Sequence, residues 1–164
     1  MNKKLEHSFV THLQENQNIA HKICRIYTND ADSHNDLFQE ITIQLWKAYP
    51  KFRGDSKFST WMYRVALNTA ISLYRKSKRS ISTEGFDTVE YKLSVEEYDD
   101  GVEQQLKLLY AGVKQLNDIE KALVFLYLED KNYKEIADAL GITEVNARVK
   151  MNRVKTKLKK ILNP

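Results

Sequence analysis

STWMYRVALNTAISLYRKSKR, residues 59–79, reads as a helix with one face that does not belong in a core. At 3.6 residues per turn, Met62, Val65, Ala66, Thr69 and Leu73 share one packing face, and Tyr63, Leu67, Ala70, Ile71 and Tyr74 form a second apolar flank. What remains is a stripe confined to roughly 80° of the circumference, formed by Trp61, Arg64, Asn68, Ser72, Arg75 and Arg79. Guanidinium groups suit phosphates, a side-chain amide reads base edges in both donor and acceptor senses, and an indole stacks on bases. A basic stripe is also the ordinary solvated face of a helix. Two neighbours favour a nucleic-acid strand over that plainer account. The stripe runs into Arg75, Lys76, Lys78 and Arg79, four cations in five residues, and it follows a short loop, Arg53, Gly54, Asp55, Ser56 and Lys57, flanked by Phe52 and Phe58. A loop with aromatic edges beside a cationic helix suits capture of an unstacked base.

Upstream, residues 36–49, DLFQEITIQLWKAY, form an amphipathic pattern with Leu37, Ile41, Leu45 and Ala48 as its inner stripe. Gln39, Ile43 and Trp46 make a second stripe bordered by Glu40 and Lys47. An indole and an isoleucine ringed by polar groups form either a protein-interface anchor or a second core face. Pro50 ends this helix. Residues 5–27 read as one or two helices, with the polar run 15–18 as the candidate break, and residues 28–35 read as a polar loop. His7, His12 and His21 lack metal-ligand spacing, and Cys24 occupies a packing position in an apolar segment.

Downstream, residues 80–103 lose helical and strand period and carry eight acids against the single Lys92, which predicts an acidic linker. Beyond it Leu106, Leu109, Val113 and Leu116 mark a helix. Asn117 with Glu120, and Asn132 with Glu135, have capping-box spacing for the next two. Gly141 permits a tight turn, Ile142 plugs the core and Thr143 caps a long last helix. Helix, glycine turn and helix, with Ile136, Ala137, Leu140 and Ile142 inside, is the helix-turn-helix pattern. In the last helix Ala147, Met151, Val154, Leu158 and Ile161 face inward, which turns Arg148, Val149, Asn152 and Arg153 outward. Arg pairs with guanine, Asn with adenine, and Val meets a thymine methyl. Lys134, Lys150 and Lys155 are better placed for phosphates.

These 164 residues carry a net charge of +4, 42% hydrophobic residues, five glycines and two prolines. That composition predicts an all-α protein of two small helical domains, residues 1–79 and 104–164, joined by the linker at 80–103. The lone Cys24 excludes an internal disulfide framework and fits a reducing cytoplasm. No apolar run nears the ~20 residues of a membrane span. There is no glycine-rich phosphate loop, metal-ligand set or nucleophile with a base, so neither an enzyme nor a cofactor is expected.

With both halves read, the chain resembles the extracytoplasmic-function group of sigma factors in the sigma-70 family. Residues 36–79 look like that family's second conserved region and residues 116–162 like its fourth. The resemblance implies core RNA polymerase and promoter DNA as partners, and it admits an anti-sigma protein, by which many relatives are held. Asp36, Gln39, Glu40, Ile43 and Trp46 fall where the family docks on polymerase. Phe52, Arg53, Asp55, Ser56, Lys57 and Phe58, with Trp61, Arg64 and Asn68, fall where it captures an unstacked base of the minus-ten element; Arg75, Lys76, Lys78 and Arg79 would hold the adjoining backbone. Arg148, Val149, Asn152 and Arg153, with Lys134, Thr143, Lys150 and Lys155, fall on the part that meets the minus-thirty-five duplex. Residues 142–155, ITEVNARVKMNRVK, depart from a common Gly-Thr-Val-Lys-Ser-Arg run, and Val149 in place of a hydroxyl shifts preference toward thymine. The competing reading is a free-standing helix-turn-helix repressor or activator, which would leave the Ile43 and Trp46 stripe and the basic helix unused.

Overall fold

Helix α1 spans Lys3–Tyr27 as one continuous rod. The polar run at 15–18 does not break it, because it contains neither Gly nor Pro and Asn16 folds back to donate to the His12 carbonyl at 2.8 Å. Helix α2 spans Ala31–Ala48. It begins inside the stretch expected to be loop, because Asp30 is its N-cap, accepting from the Ser33 backbone at 2.7 Å and from the Ser33 hydroxyl at 3.1 Å. A 3₁₀ turn, Tyr49–Lys51, with Pro50 inside it, closes α2. Helix α3, Phe58–Glu84, continues five residues beyond the expected end at Arg79, and residues 80–84 contain neither Gly nor Pro. Helices α4 (Glu103–Lys114), α5 (Asp118–Leu128), α6 (Tyr133–Leu140) and α7 (Glu144–Leu162) follow. This computed structural model describes residues 3–84 and 103–163, which contain no strand; the acidic stretch 85–102 lies outside the described residues.

The chain divides into two compact units, Met1–Ser72 and Leu73–Pro164. In the first, α1 offers Phe9, Ala20, Ile23, Cys24 and Tyr27, α2 offers Leu37, Ile41 and Leu45, and α3 offers Phe58, Met62, Tyr63, Ala66, Leu67 and Ala70, all buried. Cys24 is wholly enclosed, and burial pushes its thiol up to about 12, so it stays protonated and inert.

In the second unit both capping boxes form, Asn117 with Glu120 and Asn132 with Glu135. Gly141 takes φ 68°, the left-handed conformation that ends α6 and aims α7. Val113, Leu116, Leu123, Leu126, Ile136, Ala147, Met151 and Val154 fill the core. Leu106, expected on the inner face, is 48% exposed. The last apolar residues of α7 converge at Gly112 instead, about 9 Å further along α4.

At Gly112 a Cβ would stand 3.1 Å from both Leu158 Cδ1 and Leu162 Cδ2, so α4 crosses α7 closely enough that even a methyl would displace both leucine ends. Gly112→Leu is therefore expected to cost about 1–3 kcal/mol through overpacking, read as a lower urea midpoint. Unchanged stability would show that the crossing relaxes.

Lys121 is the one buried charged residue of the described chain, at 2% exposure. Its Nζ donates to the Lys114 carbonyl at 2.8 Å and the Val113 carbonyl at 3.3 Å, closing the end of α4. Burial, and then the charges of Lys114 and Lys78, lower its pKa from 10.5 to about 7. Between those values the unfolded chain holds the proton that the folded chain has lost. Stability therefore rises with pH across this window, by at most about 1.4 kcal/mol per unit. Urea unfolding at pH 7 and pH 9 should show the wild type gaining stability relative to Lys121→Met; parallel profiles would contradict this.

Candidate nucleic-acid interface

Tyr49 is the buried hub of the first unit. Its hydroxyl lies 2.8 Å from Ser8 Oγ and 3.0 Å from His12 Nδ1. The rings of Phe9, Phe52, Phe58 and Trp61 surround it at 5.1 to 6.2 Å. This cluster fixes where α3 begins. Trp61 leans on Phe52 at 5.1 Å and Phe58 at 5.4 Å and is half-buried, so one part of the indole is held and the rest reaches solvent. Arg64, Asn68 and Ser72 are exposed along the same helix face.

Phe58 corrects an expectation. It is buried, stacked on His12 at 4.8 Å, and is a wall of the cluster rather than an aromatic edge a base could reach. As the first residue of α3 it packs inward before the helix presents its outer stripe. Phe52 is half-buried, while Arg53, Gly54, Asp55, Ser56 and Lys57 are exposed. Gly54 takes φ 77° with open space around its Cα, so a side chain there is opposed by backbone conformation and not by crowding.

The end of α3 belongs to the second unit. There Lys76, Lys78 and Arg79 are exposed, and the Lys78 ammonium lies 4.8 Å from the Tyr74 ring centroid. Arg75 is engaged by the Asp118 carboxylate of α5, so an anion approaching Arg75 must compete with that carboxylate.

On α2, Asp36 and Gln39 are exposed, and Glu40 accepts from Gln44 Nε2 at 2.9 Å. The two readings of the second stripe divide between its residues. Trp46 is half-buried against Phe9, ring centroids 5.0 Å apart, whereas Ile43 is 45% exposed.

In the helix-turn-helix, Thr143 accepts from the Asn146 backbone at 3.1 Å and caps α7. Arg148, Asn152 and Arg153 are exposed, and Val149 is 42% exposed. Lys134 is exposed, Lys150 is half-buried, and the Lys155 ammonium rests 4.4 Å from the Tyr127 ring centroid. Two residues not singled out from sequence touch this face. Glu144 Oε1 accepts from Arg148 Nη2 at 3.0 Å, and the Tyr133 ring lies under the same guanidinium at 4.6 Å. The Glu144 and Arg148 spacing of four was a legible signal; the Tyr133 contact crosses from α6 to α7 and was not. Among the described residues no group of three or more His, Cys, Asp or Glu side chains is arranged to hold a metal ion, and no helix is long and apolar enough to cross a membrane.

Comparison with known proteins bears on the family and the fold. The sigma-70 region 2 family matches residues 12–80, and the sigma-70 region 4 family matches residues 106–158. The RNA polymerase sigma-H factor of Pseudomonas aeruginosa is 27% identical over 158 residues, covering 88% of this chain and 82% of that protein. The sigma factor SigZ of Bacillus subtilis is 26% identical over 145 residues, with 88% and 78% covered. The ECF sigma-E factor of Escherichia coli K12 is 24% identical over 161 residues, with 88% and 82% covered. Among solved structures, the sigma factor RpoE in complex with the anti-sigma factor NepR from Bartonella quintana shares the fold at a TM-score of 0.73, 16% identity, and 98% of each chain. CnrH in complex with the cytosolic domain of CnrY does so at a TM-score of 0.68, 16% identity, and 96% and 89% of the two chains. An all-α chain with region 2 and region 4 in this order, and with these relatives, belongs to the ECF group of the sigma-70 family, whose members are not enzymes but direct RNA polymerase in promoter-specific initiation of transcription.

Proposed function

We propose a residue-level division of labour for this sigma factor. Residues 1–79 act as the region 2 domain, 80–103, which opens with the last five residues of α3, as the linker and 104–164 as the region 4 domain. Asp36, Gln39, Glu40, Ile43 and Trp46 on α2 dock on core RNA polymerase. Trp61, Arg64 and Asn68, with the loop from Phe52 to Lys57, capture an unstacked minus-ten base, and Arg75, Lys76, Lys78 and Arg79 hold the neighbouring backbone. Lys134, Thr143, Arg148, Val149, Lys150, Asn152, Arg153 and Lys155 meet the minus-thirty-five duplex. The observation that carries this reading is the Tyr49 cluster, which grips one part of Trp61 and leaves Arg64 and Asn68 turned to solvent beside it. A held indole flanked by a cation and an amide is a stacking platform with base-edge and phosphate partners in reach.

Magnitudes explain why a polymerase is needed. Separating about ten base-pair steps costs on the order of 14 kcal/mol, while a stacked base returns ~1–3 kcal/mol. The chain supplies recognition, and the polymerase supplies the remaining surface. Such a protein works in the cytoplasm. One solved relative is held by an anti-sigma factor, and an inhibitor of that kind is a further partner in this reading.

A photoreactive side chain at position 64 tests the assignment. In an open complex with core polymerase it should crosslink to the non-template strand within the minus-ten element. Crosslinking only to the template strand or to polymerase would overturn it.

A further inference from the structure

Arg148 is the outward residue of α7 held from two directions. The Tyr133 ring lies 4.6 Å from its Cζ, and Glu144 accepts from Nη2 at 3.0 Å, so a ring and a carboxylate both restrain the guanidinium. The restraints come from different elements, since Tyr133 opens α6 and Glu144 opens α7. With one donor of Nη2 engaged, the guanidinium keeps further N–H donors, enough for the donor pair that reads O6 and N7 of guanine.

Glu144 has a second role that could by itself account for its position. It is the first residue of α7, where a carboxylate interacts favourably with the helix dipole. Yet on a face turned toward phosphates a carboxylate repels DNA of every sequence. The two contributions separate experimentally, because a dipole partner changes stability and a positioning partner changes base discrimination.

We propose that Tyr133 and Glu144 are positioning residues that lock Arg148 for bidentate reading of one guanine in the minus-thirty-five duplex, with Glu144 lowering general DNA affinity in exchange for selectivity. The inference rests on the assignment of α7 to that duplex, and it makes residues outside the outward stripe determinants of promoter choice. A lysine at 148 could not replace the arginine, since a point charge has no plane to stack and no fork to orient.

The test uses holoenzyme reconstituted from the full chain and core polymerase, selecting promoters from a library randomised across the minus-thirty-five element. The wild-type preference should include one G·C pair that Arg148→Ala loses. Glu144→Gln and Tyr133→Leu should each weaken preference at that pair about five- to tenfold and leave the other positions unchanged. Glu144→Gln should also bind random-sequence duplex more tightly than wild type. Tyr133→Phe keeps the ring and should keep the preference, while thermal melts report whether each variant is folded. If Arg148→Ala loses the guanine preference and folded Glu144→Gln and Tyr133→Leu retain it, the positioning role is wrong and the duplex assignment stands. If Arg148→Ala alters no preference, the duplex assignment of Arg148 fails and the inference fails with it.

Discussion

Ile43→Glu is expected to weaken assembly with core RNA polymerase about thirtyfold and to leave folding unchanged. Ile43 is 45% exposed on α2, so a charge there enters no core of this chain. In a docked complex the same charge would be desolvated against an apolar partner, at a cost typical of a hot-spot loss, about 2 kcal/mol. Trp46→Ala should act in the same direction with an added cost in stability, since Trp46 also covers Phe9 at 5.0 Å. Comparing the two variants separates docking from folding. Equilibrium binding of labelled chain to core polymerase checks this, and wild-type affinity for Ile43→Glu would remove α2 from the docking surface.

Asn68→Ala is expected to leave polymerase binding intact and to reduce open-complex formation about tenfold. Asn68 is exposed one turn beyond Arg64, on the face that begins with the held Trp61. Its side-chain amide has no hydrogen-bond partner among the described residues, so truncation should cost little in the free protein. Losing a base-edge partner costs ~1–3 kcal/mol, and the loss appears only when a base has left the duplex. Permanganate reactivity of minus-ten thymines should fall, while protection of the minus-thirty-five duplex persists. Equal loss of both signals would mean that Asn68 acts through folding or docking instead.

Where short-range chemistry sets an outcome, the sequence was a sufficient guide. Asn117 with Glu120, Asn132 with Glu135, Gly141 and Thr143 mark helix ends through partners within five residues, and each cap forms as spaced. The outward set on α7 follows from the inward set by helical geometry alone. The readings that changed depend on neighbours distant in sequence. Phe58 alternates with solvent-facing residues, and only the meeting of His12, Tyr49 and Trp61 around it makes it a core residue. Lys121, not singled out in the sequence, is buried because α4 ends against its Nζ. The start of α2 was lost for a local reason, since an Asp followed by a polar run is ambiguous between loop and N-cap. Tyr133 joins Arg148 only through the α6 to α7 turn.

Promoter-directed transcription is the most direct measurement of the central claim. Core polymerase from the same organism is supplied with this chain, with Ile43→Glu or with Asn68→Ala, on a promoter selected by the wild-type holoenzyme. The account predicts initiation that depends on the chain, little activity from Ile43→Glu at concentrations that saturate wild type, and from Asn68→Ala a defect that saturating protein does not rescue. No initiation on any promoter, together with tight duplex binding by the chain alone, would contradict it.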